Sequence, residues 1–94
     1  MKIKKSILLQ WENKFPGLDE PWTHWWIEGD GHFIDIIPVD QLGAALNVIK
    51  NNWKKYHSIK TSQAKIELDG TITRDEQHNV EIYNEFSHRN IEEV

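Results

Sequence analysis

A helical seam stands between two hairpin signals. Leu42, Leu46, Ile49, Trp53 and Tyr56 recur at three- and four-residue spacings, with Ala45 adding to the stripe, and that period lines one face of an α-helix. Gly29-Asp30-Gly31 precedes the seam and Asp69-Gly70 follows it. Glycine beside aspartate supplies the positive φ that a tight β-turn demands. The predicted order is therefore strand, strand, helix, strand, strand. Tight turns join antiparallel neighbours, whereas parallel strands need a long crossover. With a further amphipathic segment at the start, the expected fold class is α+β. It is an antiparallel sheet of roughly three to five strands with two helices packed on one face, in a single compact domain over residues 1–94.

The boundaries follow from local chemistry. Ile3, Ile7, Trp11 and Phe15 recur every four residues beside Leu8, predicting a helix over 3–15 that Pro16-Gly17 ends. A hairpin is expected over 22–37. On its first strand His24, Trp26 and Glu28 share a face. On its second, Phe33, Asp35 and Ile37 oppose His32, Ile34 and Ile36, and the aliphatic set is expected inward, leaving aromatic surface outside. The second helix should run over 39–56, started by Pro38 and capped by Asp40, with Lys50, Lys54 and Lys55 suiting the dipole at its end. A second hairpin is expected over 64–74. Segment 79–90 reads as strand or helix: Thr73 and Glu76 could form a capping box, but Val80, Ile82 and Phe86 alternate as in a strand.

Composition excludes several classes of function. No cysteine is present, so disulfides and thiolate metal sites are ruled out. The longest largely apolar run, 33–39, is broken by Asp35 and Pro38 and is too short to span a bilayer. Lys2, Lys4 and Lys5 precede Ile7-Leu8-Leu9, but the apolar part is too short for a signal peptide. Met1 is taken as the start of a cytoplasmic protein. A pI near 5.7 argues against nucleic acid as the main partner, because phosphate neutralisation needs a basic face.

Charge is sorted along the chain. Residues 1–16, 17–49, 50–65 and 66–94 carry +3, −6, +5 and −6, which together make the net charge of −4. Between Gly17 and Ile49 stand six carboxylates, no Lys or Arg, and three of the five tryptophans. Local fields of one sign steer partners of the other.

Other constellations are weaker. His24, His32 and Asp35 could converge across the first hairpin as hard-to-borderline metal ligands, yet their spacing matches no metal motif, and surface histidines explain them as well. The serines lack a nucleophile elbow, the glycines form no phosphate loop, and nothing marks an enzyme. Lys50, Lys54, Lys55, Lys60 and Lys65 interleave with Trp53 and Tyr56, but those aromatics fall on the helical seam, which leaves the lysines as its solvated side. Adjacent Trp25 and Trp26 must face opposite sides of a strand, so one is core and the other is covered or exposed. An exposed tryptophan with an acidic rim has the form of a binding hot spot.

The expected function is a small, acidic, non-enzymatic inhibitor that occludes a basic protein partner such as a nuclease. In size, charge and aromatic content it resembles nuclease-toxin immunity proteins and phage anti-defence proteins. The expected contact residues are Asp19, Glu20, Trp22, Trp25, Glu28, Asp30 and Asp35, with no cofactor, direct nucleic-acid contact or membrane involved. The alternatives are a metal-binding or hydrolytic protein using His24, His32 and Asp35, and an accessory subunit that homodimerises through aromatic surface.

Overall fold

The computed structural model describes residues 5–15 and 17–81. The elements run α1 (Lys5–Lys14), β1 (His24–Gly29), β2 (His32–Pro38), α2 (Leu42–Asn52), β3 (Ile59–Ile66), β4 (Ile72–Arg74) and β5 (Val80–Glu81). The strands form one five-stranded sheet in the order β2-β1-β3-β4, with β5 also pairing with β3. Every pairing is antiparallel, so the architecture is α+β. Positions 3 and 4 of the first predicted helix, Pro16, and the predicted C-terminal segment from 82 onward lie outside the described residues.

The β1–β2 turn needs two residues with positive φ, and Asp30 (49°) and Gly31 (84°) supply them. Gly29 serves a different purpose. An added Cβ there would lie 2.5 Å from Cγ of Tyr56, so the absence of a side chain lets the ring pack against β1. Asp30 also secures the chain leading into β3. Its carboxylate accepts the N–H groups of His57 at 3.1 Å and Ser58 at 3.0 Å.

Register departs from expectation twice. A hairpin centred on Asp30 would set His24 opposite Asp35 or Ile36, but His24 pairs with Pro38. The two-residue turn moves the centre past Asp30, pairing Gly29 with His32. A bulge then separates the Ile27–Asp35 pair from the Glu28–Phe33 pair and leaves Ile34 as the extra residue. The bulge also divides the aliphatic set. Ile34 packs against the core and Ile37 is buried within it, while Ile36 lies opposite Trp26.

Two further boundaries are corrected. Pro38 remains in β2, and Gln41 rather than Asp40 is the N-cap residue of α2, with no side-chain cap bond. The helix ends at Asn52, and β3 begins at Ile59, well before the expected position 64. Its first half, Lys60-Thr61-Ser62-Gln63, lacks an apolar alternation.

One buried cluster unites Trp11 of α1, Trp25 and Ile27 of β1, Ile37 of β2, Ala45 and Ile49 of α2, Trp53, and Ile59 of β3. Phe15, Leu42, Leu46 and Tyr56 pack against it. Each buried tryptophan removes roughly 150–250 Å² from water, which compensates for a low aliphatic content. Residues of opposite parity on β1 and β3, Trp26, Ser62 and Ala64, lie outside this cluster.

Candidate functional site

The central position of β1 decides the fate of the tryptophan pair. Trp25 is only 5 % exposed and meets Phe15 edge-on, with ring centroids 5.0 Å apart. It therefore cannot be the exposed anchor expected from the sequence: the sheet face on which it lies is the one that carries the core. Trp26 points the other way, half-buried, with its ring centroid 4.6 Å from that of Phe33.

Three expected contact carboxylates are also engaged internally. Glu28 accepts from Arg74 Nη2 at 2.9 Å and from Trp26 Nε1 at 3.4 Å. The same guanidinium lies 5.2 Å from the Trp26 ring and donates through Nε to Ser62 Oγ at 2.9 Å. Glu28 thus closes an ion pair spanning β1, β3 and β4, with side-chain exposures of 18 % for Arg74 and 13 % for Glu28. Asp30 is occupied by the backbone before β3. Asp35 is half-buried, and its Oδ1 accepts the Ile36 N–H at 2.8 Å.

The proposed His24, His32 and Asp35 triad does not assemble. His24 and His32 stand opposite Pro38 and Gly29, at the two ends of the hairpin. At about 3.3 Å per residue their backbones are some 16 Å apart. Asp35 pairs with Ile27, on the parity opposite to His24. Among the described residues no three His, Asp or Glu side chains could hold a metal ion. The lysine block is dispersed as well: Lys60 meets Glu81 at 3.8 Å and Lys65 meets Glu67 at 3.3 Å.

What remains gathers at one end of the sheet. The Val39 N–H donates to Thr23 O at 3.0 Å and the Thr23 N–H to Ala64 O at 2.9 Å. The loop before β1 therefore lies beside the chain leaving β2. Asp19, Glu20 and Asp40 are exposed there with Trp22 half-buried, and among the described residues no ion pair engages these three carboxylates.

A cavity of about 400 Å³ opens beside Asp19. Gly17 and Asp19 form one side, Gln63 of β3 lines it, and Gln77 to Val80 close the other. Gln63 is the key to its construction. Buried to 5 % exposure, it accepts the Asp19 N–H at 2.7 Å and donates to Asp75 Oδ2 at 3.1 Å. Asp75 in turn holds His78 Nδ1 at 2.8 Å. Partial dehydration pushes the Asp75 carboxyl up, but bonding and attraction to His78, with hydrogen bonds from the Gln77 N–H and Gln63, outweigh it and hold the group below its ordinary value. Among the described residues no Lys or Arg lines the cavity.

Sequence reasoning singled out Asp19, Glu20 and Trp22 and passed over Gln63, Asp75 and His78. The only local signal was Asp75 at the head of a turn-forming stretch. The contact to Gln63, twelve residues earlier, is a product of β3–β4 pairing. Among the described residues no helix is long and apolar enough to cross a membrane. Comparison with known proteins found no match among family models, curated sequences or solved structures.

Proposed function

We propose that this chain is a small, acidic, non-enzymatic inhibitor that binds a basic protein and occludes its cationic surface, in the manner of nuclease immunity or phage anti-defence proteins. Cytoplasmic action is part of that proposal. The observation that carries it is a set of exposed carboxylates at one end of the sheet, Asp19 and Glu20 before β1 and Asp40 after β2, with half-buried Trp22 and a cavity that no basic residue lines among the described residues. Charges left unpaired in the monomer raise the rate of encounter with an opposite field, while an aromatic group desolvated on contact slows dissociation. The contact surface is accordingly narrower than the sequence implies. Asp19, Glu20 and Trp22 remain, Asp40 joins them, and Trp25, Glu28, Asp30 and Asp35 serve the fold.

Affinity capture from lysate at low salt and at about 0.5 M salt tests this, because the Debye length falls to roughly 4–5 Å at the higher value. A single basic protein held at low salt, and lost when Asp19, Glu20 and Asp40 are changed to Asn, Gln and Asn, is the expected result. Capture that ignores both salt and those changes would refute it.

A second reading has its own support. Phe33, Ile66 and Ile72 are 50 %, 48 % and 42 % exposed, and their pairing places them on the sheet parity of Trp26 and Ala64. Such a face suits a homodimerising accessory subunit. Concentration-dependent sedimentation supports that reading, and a constant monomer mass removes it.

A further inference from the structure

We infer that the cavity beside Asp19 is a receptor for one arginine side chain of the basic partner, an assignment that rests on the occlusion reading and specifies where it acts. Three observations converge. Its volume of about 400 Å³ is ample for a single side chain and lies within the range of small-ligand sites, roughly 300–1,000 Å³. Its lining carries a carboxylate: Asp19 lines it, Asp75 bonds Gln63 and the His78 ring behind it, and among the described residues no Lys or Arg contributes. Its wall is prepared, since the buried Gln63 amide is locked between the Asp19 main chain and Asp75.

The ligand chemistry follows from the donors and acceptors left over. The Asp19 carboxylate has no ion pair among the described residues, and the exposed Gln77 side chain offers a carboxamide oxygen. Carboxylate and carboxamide oxygens suit a planar guanidinium, whose N–H groups form a fixed fork. Val80 supplies apolar lining for the methylene stem. A neutral ligand would leave the Asp19 carboxylate uncompensated, and an anion would be repelled by it.

Gly17 provides the means of testing this. A Cβ added there meets nothing within 4 Å, and its φ is not in the left-handed range. Gly17→Trp can therefore narrow the cavity without straining the backbone. The probes are N-acetyl-arginine amide and its uncharged isostere N-acetyl-citrulline amide, titrated into ¹⁵N-labelled protein at millimolar concentrations. The arginine compound should produce saturable shifts at Gly17, Asp19, Gln63 and residues 77–80, and the citrulline compound should not. Asp19→Asn keeps the main-chain bond to Gln63 and should weaken binding roughly five-fold, the equivalent of one partly exposed ion pair. Gly17→Trp should abolish it while leaving the remaining amide spectrum intact.

Equal binding of both compounds, shifts confined to another surface, or full binding by a folded Gly17→Trp would overturn the inference. Should Gly17→Trp fail to fold, undiminished binding by Asp19→Asn has the same force. If a basic protein is captured while the cavity amides never respond to the arginine compound, the receptor is refuted and occlusion survives. If arginine fills the cavity and no basic protein is captured, the receptor stands and occlusion falls.

Discussion

Gly29→Ala should destabilise the protein, against the usual benefit of replacing glycine in a strand. An alanine Cβ would lie 2.5, 2.6 and 2.8 Å from Cγ, Cδ2 and Cδ1 of Tyr56. Carbon atoms settle at about 3.5–4.0 Å, so ring and strand must separate by roughly 1 Å. The obstacle is the body of an aromatic ring packed against the core cluster, not the end of a flexible chain. Overpacking of this kind costs about 1–3 kcal/mol, while the lower unfolded-state entropy of alanine returns about 0.5–1 kcal/mol. The net loss is about 0.5–2 kcal/mol, or roughly 2–16 °C in Tm for a domain of this size. Thermal and urea unfolding followed by circular dichroism would measure it. The decisive comparison is the same substitution in a Tyr56→Ala background, where the obstacle is gone and Gly29→Ala should become neutral or stabilising. An equal penalty in both backgrounds, or none in the parent, would refute the steric argument.

Thr61→Val should raise stability by about 1 kcal/mol, because the Thr61 hydroxyl is buried without a hydrogen-bond partner and an unsatisfied buried group carries a desolvation cost; an unchanged or lowered urea midpoint contradicts this. Arg74→Met should cost about 2 kcal/mol by leaving the Glu28 carboxylate largely buried without its cation, and Arg74→Lys should recover only part of the loss, since it lacks the fork that reaches Ser62 and Glu28 together. Trp25→Ala should cost about 3–5 kcal/mol of folding stability, as for a fully packed aromatic, with Trp26→Ala costing clearly less; the reverse order in chemical denaturation would invalidate the assignment of faces. Because the Asp75 pKa is lowered in the folded protein, its stabilisation is complete above the ordinary carboxylate value near 4 and is lost as pH falls through the folded value. Asp75→Asn should thus lower Tm at neutral pH and flatten its decline between about pH 5 and pH 3, whereas parallel Tm curves for the two proteins would count against the contribution.

Much of the fold was legible because its signals are local. The Leu42–Ile49 spacing marks α2, and Asp30-Gly31 and Asp69-Gly70 mark turns whose glycines, Gly31 and Gly70, adopt positive φ. What was not legible depends on neighbours distant in sequence. Lys60-Thr61-Ser62-Gln63 does not read as a strand because both of its faces are covered. Ser62 is fully buried on the side where Arg74 bonds it, and Thr61 on the side of the core. The choice of Trp25 over Trp26 as core requires knowing which face of β1 the helical residues cover. The acidic block also looked more uniform than it is, since Glu28 stands between β2 and a strand carrying Lys60, with Arg74 within reach. For the candidate site, Asp19 could be read from charge alone. Gln63 acquires meaning only when β3 brings it beneath Asp19 and Asp75.

The irregularity in β2 bears on how this edge of the sheet would meet another chain. Among the described residues β2 pairs only with β1, leaving an outer edge of main-chain donors and acceptors on a segment rich in isoleucine. Such an edge invites strand addition and open-ended polymerisation. The extra residue at Ile34 breaks the straight ladder, Asp35 bends its carboxylate onto the next N–H, and Pro38 lacks a donor at the far end. A second chain could match only a few residues before losing register. Restoring a regular β2 by deleting Ile34 should therefore expose a continuous edge and make the chain prone to fibrils, which thioflavin binding would report.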